Sequence, residues 1–171
     1  GYTLIASIAI LVGNLTRSIS QVLMPVASKY NALKETHKNK MIGIIATKYN
    51  VIVASTLCVL SMFFFKPFLS LWVGNTYNET YLNTLSNACI ILMIGQWFIG
   101  SEVCLRQMLT GIGKIKIPII IVLSWSALAL IFTWISLAYF NSSLMVVIII
   151  ISLARCLGAI AQLIYSKIYF N

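Results

Sequence analysis

The sequence predicts an all-α polytopic membrane protein with five transmembrane helices, and three observations carry that prediction. Of its 171 residues, 60% are hydrophobic and 9% charged, against roughly 45–50% and about 25% in a soluble domain. The mean hydropathy is +0.96, and folding a chain of this size still leaves about a third of its surface exposed, too much to hide such an excess. The apolar residues fall in windows of about twenty or more, the length that crosses ~30 Å of hydrocarbon as a helix. Closed barrels are the other spanning solution and need short strands of alternating polarity. Runs such as Val146 to Ile151 and Pro118 to Leu123 do not alternate.

The first window, Leu4 to Ala27, is expected to end near Pro25, which has no N–H to continue the ladder. The second, Met41 to Phe65, tolerates Lys48 near its start. Leu82 to Thr110 is the third, Ile117 to Phe140 the fourth, and Leu144 to Ser166 the fifth. Between them lie a basic segment, Ser28 to Lys40, a polar external turn, Gly74 to Tyr81, the sequence GIGKIKIP, and Asn141-Ser142-Ser143. Residue 1 is Gly, and the chain enters an apolar run with no basic leader. That start is not a signal peptide, so the chain is expected to be part of a longer protein.

Twelve Lys and Arg against three Asp and Glu give a formal +9. In a soluble protein this would suggest nucleic acid, but the apolar runs leave no soluble face for such a groove. The charge is instead a topology signal and an attraction to anionic membrane lipids. Lys29, Lys34, Lys38, Lys40, Lys114, Lys116 and Lys167 fall on one side and Lys66 alone on the other. The 28–40 and 111–117 connections and the C-terminus are therefore expected to face the cytoplasm. Trp72, Tyr77, Tyr81 and Tyr139 then mark the outer boundary, and Tyr30, Tyr165 and Tyr169 the inner one.

Charge inside the bilayer costs about 2.5–3.5 kcal/mol per group on insertion scales, so intramembrane ions are candidates for function. Arg17 lies ten residues before Ala27, about 15 Å along the axis and close to the midplane. Asn14, Arg17 and Gln21 are three and four residues apart and share a helical face, a stripe suited to an aqueous cavity. Arg155 sits mid-helix, too deep to snorkel easily. Ser152, Arg155, Ala159, Gln162 and Ser166 form a second polar-to-small face, and Ala154-x-x-x-Gly158 allows close helix approach. Glu102 and Arg106, four apart, can pair with each other, either for function or for assembly.

Other signals carry less. Gly111-Ile112-Gly113-Lys114 lacks the Gly and Ser/Thr that a phosphate loop needs at Met108 and Ile115, and reads as a tight turn. His37 stands in a lysine-rich segment as a solvated loop residue, and Asn78-Glu79-Thr80 is a bare three-residue glycosylation match. Cys58, Cys89, Cys104 and Cys156 lie within apolar runs as small hydrophobes. No catalytic triad, carboxylate pair or metal spacing stands out, so neither an enzyme nor a cofactor is expected. The fourth helix carries Ser124, Ser126, Thr133 and Ser136 but no charge, and is expected to be a lipid-facing wall.

The order of several short segments resembles the prokaryotic polysaccharide flippases. These are Gly1-Tyr2 opening a helix that closes in Leu23-Met24-Pro25-Val26-Ala27-Ser28, a basic segment, Lys66-Pro67-Phe68-Leu69, Leu71-Trp72-Val73-Gly74 with Tyr77 nearby, and Leu109-Thr110-Gly111-Ile112-Gly113-Lys114. That family comprises the O-antigen and capsule repeat-unit translocases of the multidrug/oligosaccharidyl-lipid/polysaccharide exporter superfamily. The resemblance implies part of the C-terminal lobe of a transporter of twelve to fourteen helices in the bacterial plasma membrane. It implies translocation of undecaprenyl-pyrophosphate-linked oligosaccharide by alternating access, with a polysaccharide polymerase and other envelope assembly proteins as partners. Two lobes are needed for that cycle, so five helices alone are not expected to transport.

A cationic cavity would offset the charge of the lipid-linked substrate, and the charge argument assigns Arg17 and Arg155 to it first, then Arg106 and Glu102, with Asn14, Gln21 and Gln162 beside them. A drug or cation extruder of the same superfamily would favour acids, whereas intramembrane Arg outnumbers Glu three to one. A membrane-embedded glycosyl- or acyltransferase would need an acidic or histidine site near a boundary.

Overall fold

In the computed structural model, residues 2–73, 78–140 and 144–170 are described. They form α1 (Tyr2–Gln21), α2 (Leu23–Ala32), α3 (Thr36–Val73), α4 (Glu79–Gly111), α5 (Lys116–Phe140) and α6 (Leu144–Phe170). The described residues are all-helical in architecture, and five stretches among them are long and apolar enough to cross a membrane: α1 with α2, and each of α3 to α6. Tyr77, Asn141, Ser142, Ser143 and the side chain of Trp72 lie outside the described residues.

The first window bends where it was expected to stop. Pro25 has no N–H to donate to the carbonyl of Gln21, and its ring would collide with that carbonyl. The chain breaks at Val22, which keeps helical angles (φ −62°, ψ −22°), and resumes as α2 to Ala32. The expected Leu4–Ala27 helix is thus two helices reaching five residues further. Most of the 28–40 segment, expected to be a loop, is helical as well. Lys29 sits on the last turn of α2 and Lys38 and Lys40 on the first turns of α3, while Lys34 belongs to the three-residue turn between them, Leu33 to Glu35.

That turn closes α2 with paired bonds, Lys34 N–H to Asn31 O (3.0 Å) and Glu35 N–H to Tyr30 O (3.0 Å). Lys34 holds a left-handed φ of 58°. The same motif ends α4: Gly113 N–H meets Thr110 O at 3.0 Å, and Lys114 N–H meets Leu109 O at 2.9 Å. Here the left-handed residue is Gly113, φ 85°, which adopts it without a Cβ penalty. The glycine–lysine run is a helix cap.

α3 has 38 residues, about 57 Å of helix at 1.5 Å per residue, against ~30 Å of hydrocarbon. The Met41–Phe65 window marks only its apolar middle. Polar side chains at Thr36 to Lys40 do not break a helix, so α3 starts earlier. It also continues through Lys66 and Pro67 to Val73, because a membrane helix can re-satisfy the carbonyl that a proline frees. Glu79, Thr80 and Tyr81, expected in the external turn, form the first turn of α4.

α4 is the hub, packing on α1, α2, α3 and α6, while α5 leans chiefly on α6. One half of the bundle is apolar. Ile5, Ala9 and Val12 of α1, Phe65 and Leu69 of α3, Leu85, Ala88, Cys89, Leu92 and Met93 of α4 and Ile148 of α6 pack together there. Lipid tails are as apolar as leucine, so close packing and interhelical hydrogen bonds hold such helices together. The bonds are specific. Asn50 Nδ2 donates to Gly100 O at 2.6 Å, Trp97 Nε1 to Ser55 Oγ at 2.7 Å, Ser152 Oγ to Ile91 O at 2.7 Å, and Asn39 Nδ2 to Ala27 O at 3.1 Å. Ser20 Oγ and Cys104 Sγ meet at 3.2 Å between α1 and α4. Small residues let the backbones approach. A Cβ at Gly95 would stand 3.2 Å from the Cα of Ser152 on α6, and one at Gly111 would run into the backbone carbonyl of Met24.

Candidate functional site

Between α1 and α4 on one side and the α5–α6 hairpin on the other lies an open cavity of about 520 Å³, within the ~300–1,000 Å³ range of small-molecule sites. Four helices supply its charged and polar residues. Arg17 comes from α1, Glu102 and Arg106 from α4, Ser126 and Thr133 from α5, and Arg155 and Gln162 from α6. Five of the seven sequence-derived candidates therefore meet in one space, from three helices, with Arg17 and Gln162 standing 145 residues apart in the chain. Asn14 and Gln21 do not line it. Both are exposed on α1, and of that stripe only Arg17 reaches the cavity.

Depth follows from the helix lengths. Arg155 is eleven residues into α6, and Glu102 nine residues before the end of α4, about 16 Å and about 14 Å along their axes. Both belong to the interior of the spans. Arg106 is one turn closer to the basic end.

Glu102 is buried at 4% exposure. Its Oε1 stands 3.5 Å from Arg106 Nη2, and Arg17 lines the same cavity. Glu102 Oε2 is buried and has no hydrogen-bond partner among the described residues. The pair is thus a contact across one helical turn, with one carboxylate oxygen left over.

Gln162 is the more telling residue. It is 1% exposed, lines the cavity, and neither its Oε1 nor its Nε2 has a hydrogen-bond partner among the described residues. An amide buried without partners is costly, on the order of 1–3 kcal/mol for each lost bond. Such a group at a cavity wall is satisfied by whatever fills the cavity, water or ligand. The face that periodicity assigned to α6 is a real inner face: Ser152, Ala159, Gln162 and Ser166 are all buried.

α5 corrects one expectation. It is not simply a lipid-facing wall, because Val122, Trp125, Ser126, Ala129, Leu130 and Thr133 turn one side of it to the cavity. Ser126, Ala129 and Thr133 follow helical three- and four-residue steps, a small-and-polar stripe that was legible in the sequence. Gly158 makes room for the Trp125 ring, whose Cδ1 would lie 3.3 Å from a Cβ placed there. The close approach expected at Ala154-x-x-x-Gly158 is therefore to α5.

His37, read as a loop residue, is in the first turn of α3, where it is exposed. Among the described residues no group of three or more His, Cys, Asp or Glu is placed to hold a metal ion. Cys58, Cys89 and Cys104 are buried and free, and Cys156 is partly buried.

No family model matches the chain, and no curated protein or solved structure does so either.

Proposed function

We propose that this cavity takes an anionic, hydroxyl-bearing headgroup through the membrane, and that the substrate class is a polyprenyl-pyrophosphate-linked oligosaccharide. The observation that carries the reading is the convergence of Arg17, Arg106 and Arg155 on one space that holds a single carboxylate, Glu102. Three guanidiniums against one acid leave the cavity positive whether or not Glu102 is ionised. Arg remains protonated when desolvated and presents a planar fork of donors that fits phosphate oxygens. In low dielectric such pairs offset part of the desolvation of a pyrophosphate.

The neutral lining suits the rest of the group. Gln162 offers a donor and an acceptor, and Ser126 and Thr133 add hydroxyls for sugar hydroxyl groups. Trp125 gives a broad apolar face. The cavity is open on one side, so the polyprenyl tail can stay in lipid while the headgroup enters. The resemblance of the segment order to polysaccharide flippases supports the same substrate class. Alternating access then requires a second lobe facing this one, with the basic end cytoplasmic in a bacterial plasma membrane. A polysaccharide polymerase would receive the product. An extruder of organic cations fits less well, because a cation would meet the excess of arginine.

The test measures binding of a fluorescent polyprenyl-pyrophosphate oligosaccharide by the chain reconstituted in liposomes and, with a second lobe supplied, its leaflet exchange. Arg155→Gln and Arg17→Gln, checked for unchanged thermal stability, are expected to weaken binding about ten-fold each, about 1.4 kcal/mol, and to slow exchange. Glu102→Gln should move binding the other way, several-fold tighter. Unchanged binding in both arginine variants would remove the cavity from the pathway, and wild type that neither binds nor moves the lipid would sink the substrate class.

A further inference from the structure

A second cleft lies at the basic end of the bundle, about 390 Å³ in volume, and shares no residue with the central cavity. We propose that it binds a phosphate whose substituent carries a hydroxyl, as in the headgroup of phosphatidylglycerol. Three parts of the chain meet there: the α2–α3 junction with Asn31, Thr36, His37, Asn39 and Lys40, the end of α4 with Ile112, and the end of α6 with Tyr169.

The electrostatics are one-sided. Lys40 lines the cleft, and Lys114 reaches the Tyr169 ring at its edge, 6.0 Å from the centroid. Lys29, Lys34, Lys116 and Lys167 lie within a few residues of the same segments. The one acid nearby, Glu35, is held by Lys38 through both carboxylate oxygens at 2.9 and 3.0 Å. The cleft also contains the start of α3. The N–H groups of Thr36, His37 and Lys38 precede the first intrahelical bond, Asn39 N–H to Glu35 O at 3.2 Å, so they are the orphan donors that hold phosphate at helix starts.

Asn39 is the independent sign of a ligand. It is 3% exposed, and its Nδ2 is fixed by the carbonyl of Ala27 at 3.1 Å. That bond sets the orientation of the amide and leaves Oδ1 buried with no partner among the described residues. A phosphate offers that oxygen nothing. A hydroxyl on the phosphate's substituent offers it a donor, which is why the inferred ligand carries both groups.

Position favours a lipid source. α3 is longer than the hydrocarbon is thick, so its first turns stand at headgroup level. Tyr30 and Tyr169, at the ends of α2 and α6, are amphipathic residues of the kind found at that depth. A soluble glycerol phosphate shares the chemistry, and the experiment separates the two.

The purified chain is titrated in zwitterionic phosphatidylcholine nanodiscs with phosphatidylglycerol or phosphatidylmethanol, which has the same charge and no hydroxyl. Retained lipid is counted by native mass spectrometry, and glycerol 1-phosphate is tested as a soluble competitor. His37→Gln and Lys40→Gln, both tolerant surface changes, are expected to weaken phosphatidylglycerol retention about five-fold each, while Lys66→Gln at the other end has no effect. Phosphatidylglycerol is expected to be held about three-fold or more tighter than phosphatidylmethanol. Competition by glycerol 1-phosphate, lost in the same two variants, supports the site with a soluble source. Equal losses in Lys66→Gln would show a diffuse charge effect and overturn the proposal, as would equal retention of phosphatidylcholine. Equal retention of the two anionic lipids would overturn the hydroxyl contact to Asn39.

Discussion

α4 and α5 are both long, apolar helices, yet over the apolar window of each more than half of α4 is buried and none of α5. Hydropathy ranks them the other way, since α5 is the more apolar of the two. What separates them is small and polar residues. α4 carries Gly95, Gly100, Ala88 and Cys89 where other helices come close, and accepts Asn50 and Ser152 at its backbone. α5 has branched and aromatic residues around most of its circumference and no glycine, and one close approach to α6 comes where Gly158 yields to Trp125. In a membrane the order of burial follows the capacity for close approach rather than the degree of apolarity.

The strongest way to break that comparison is to remove the close approach. Gly95→Val places a branched side chain against the Oγ and Cα of Ser152, at 2.8 and 3.2 Å from the new Cβ, where backbone must move. The expected destabilisation is about 3 kcal/mol, the upper range for overpacking, measured by reversible unfolding in mixed micelles. A loss below ~0.5 kcal/mol would mean that the α4–α6 contact is not what makes α4 the hub.

Removing a polar tie is expected to act less. Asn50→Leu deletes the bond to Gly100 O and also the buried, partnerless Oδ1. The two effects oppose each other, so the net loss is expected to be about 0.6–1.7 kcal/mol, the range for interhelical bonds in membranes. Ser152→Ala should fall at the lower end. If Asn50→Leu is stabilising, the orphan oxygen outweighs the bond.

Helix caps give a matched pair of opposite sign. Gly113→Ala puts a Cβ on a residue at φ 85° with open space around it, so the expected loss of about 1 kcal/mol is conformational rather than steric. Lys34 already bears that strain at φ 58°, and Lys34→Gly should be stabilising by up to about 1 kcal/mol. Thermal unfolding of the two variants side by side checks both signs.

The sequence showed the spans more fully than their ends. Apolar windows located the middles of all five, because hydrocarbon demands an unbroken run there. They missed the first turns of α3 and the last of α6, where Lys, His, Asn and Tyr are compatible with helix but not with lipid. Pro25 was legible as a break, and only the coordinates show that the helix goes on beyond it. For the central cavity, intramembrane charge singled out Arg17, Glu102, Arg106 and Arg155, and periodicity added Gln162. What no single helix could reveal was that α5 supplies a wall. Its stripe of Ser126, Ala129 and Thr133 carries no charge, so nothing in the insertion energetics drew attention to it. The same argument included Asn14 and Gln21 by face alone, and a face cannot say how far around a helix a cavity reaches.

The smallest effect is the sharpest on what surrounds α5. Leu123 is 62% exposed and lies off the cavity-lining side of its helix. Leucine and alanine are both strong helix formers, and a side chain that touches only lipid tails loses no protein contact when it is shortened. Leu123→Ala is therefore expected to change stability by less than ~0.5 kcal/mol in lipid bicelles. A buried leucine would lose about 2–5 kcal/mol on the same change. A measured loss in that higher range would mean that protein rather than lipid covers this face. The two-lobe reading predicts no such loss here, because it places the facing lobe across the cavity mouth, on the Arg17 side. Repeating the measurement at Ile10, 58% exposed on α1 and two helical turns before Arg17 on the same face, tests that side in turn. A loss at α1 without one at α5 would place a protein partner against the Arg17 face, and the reverse would place it behind α5.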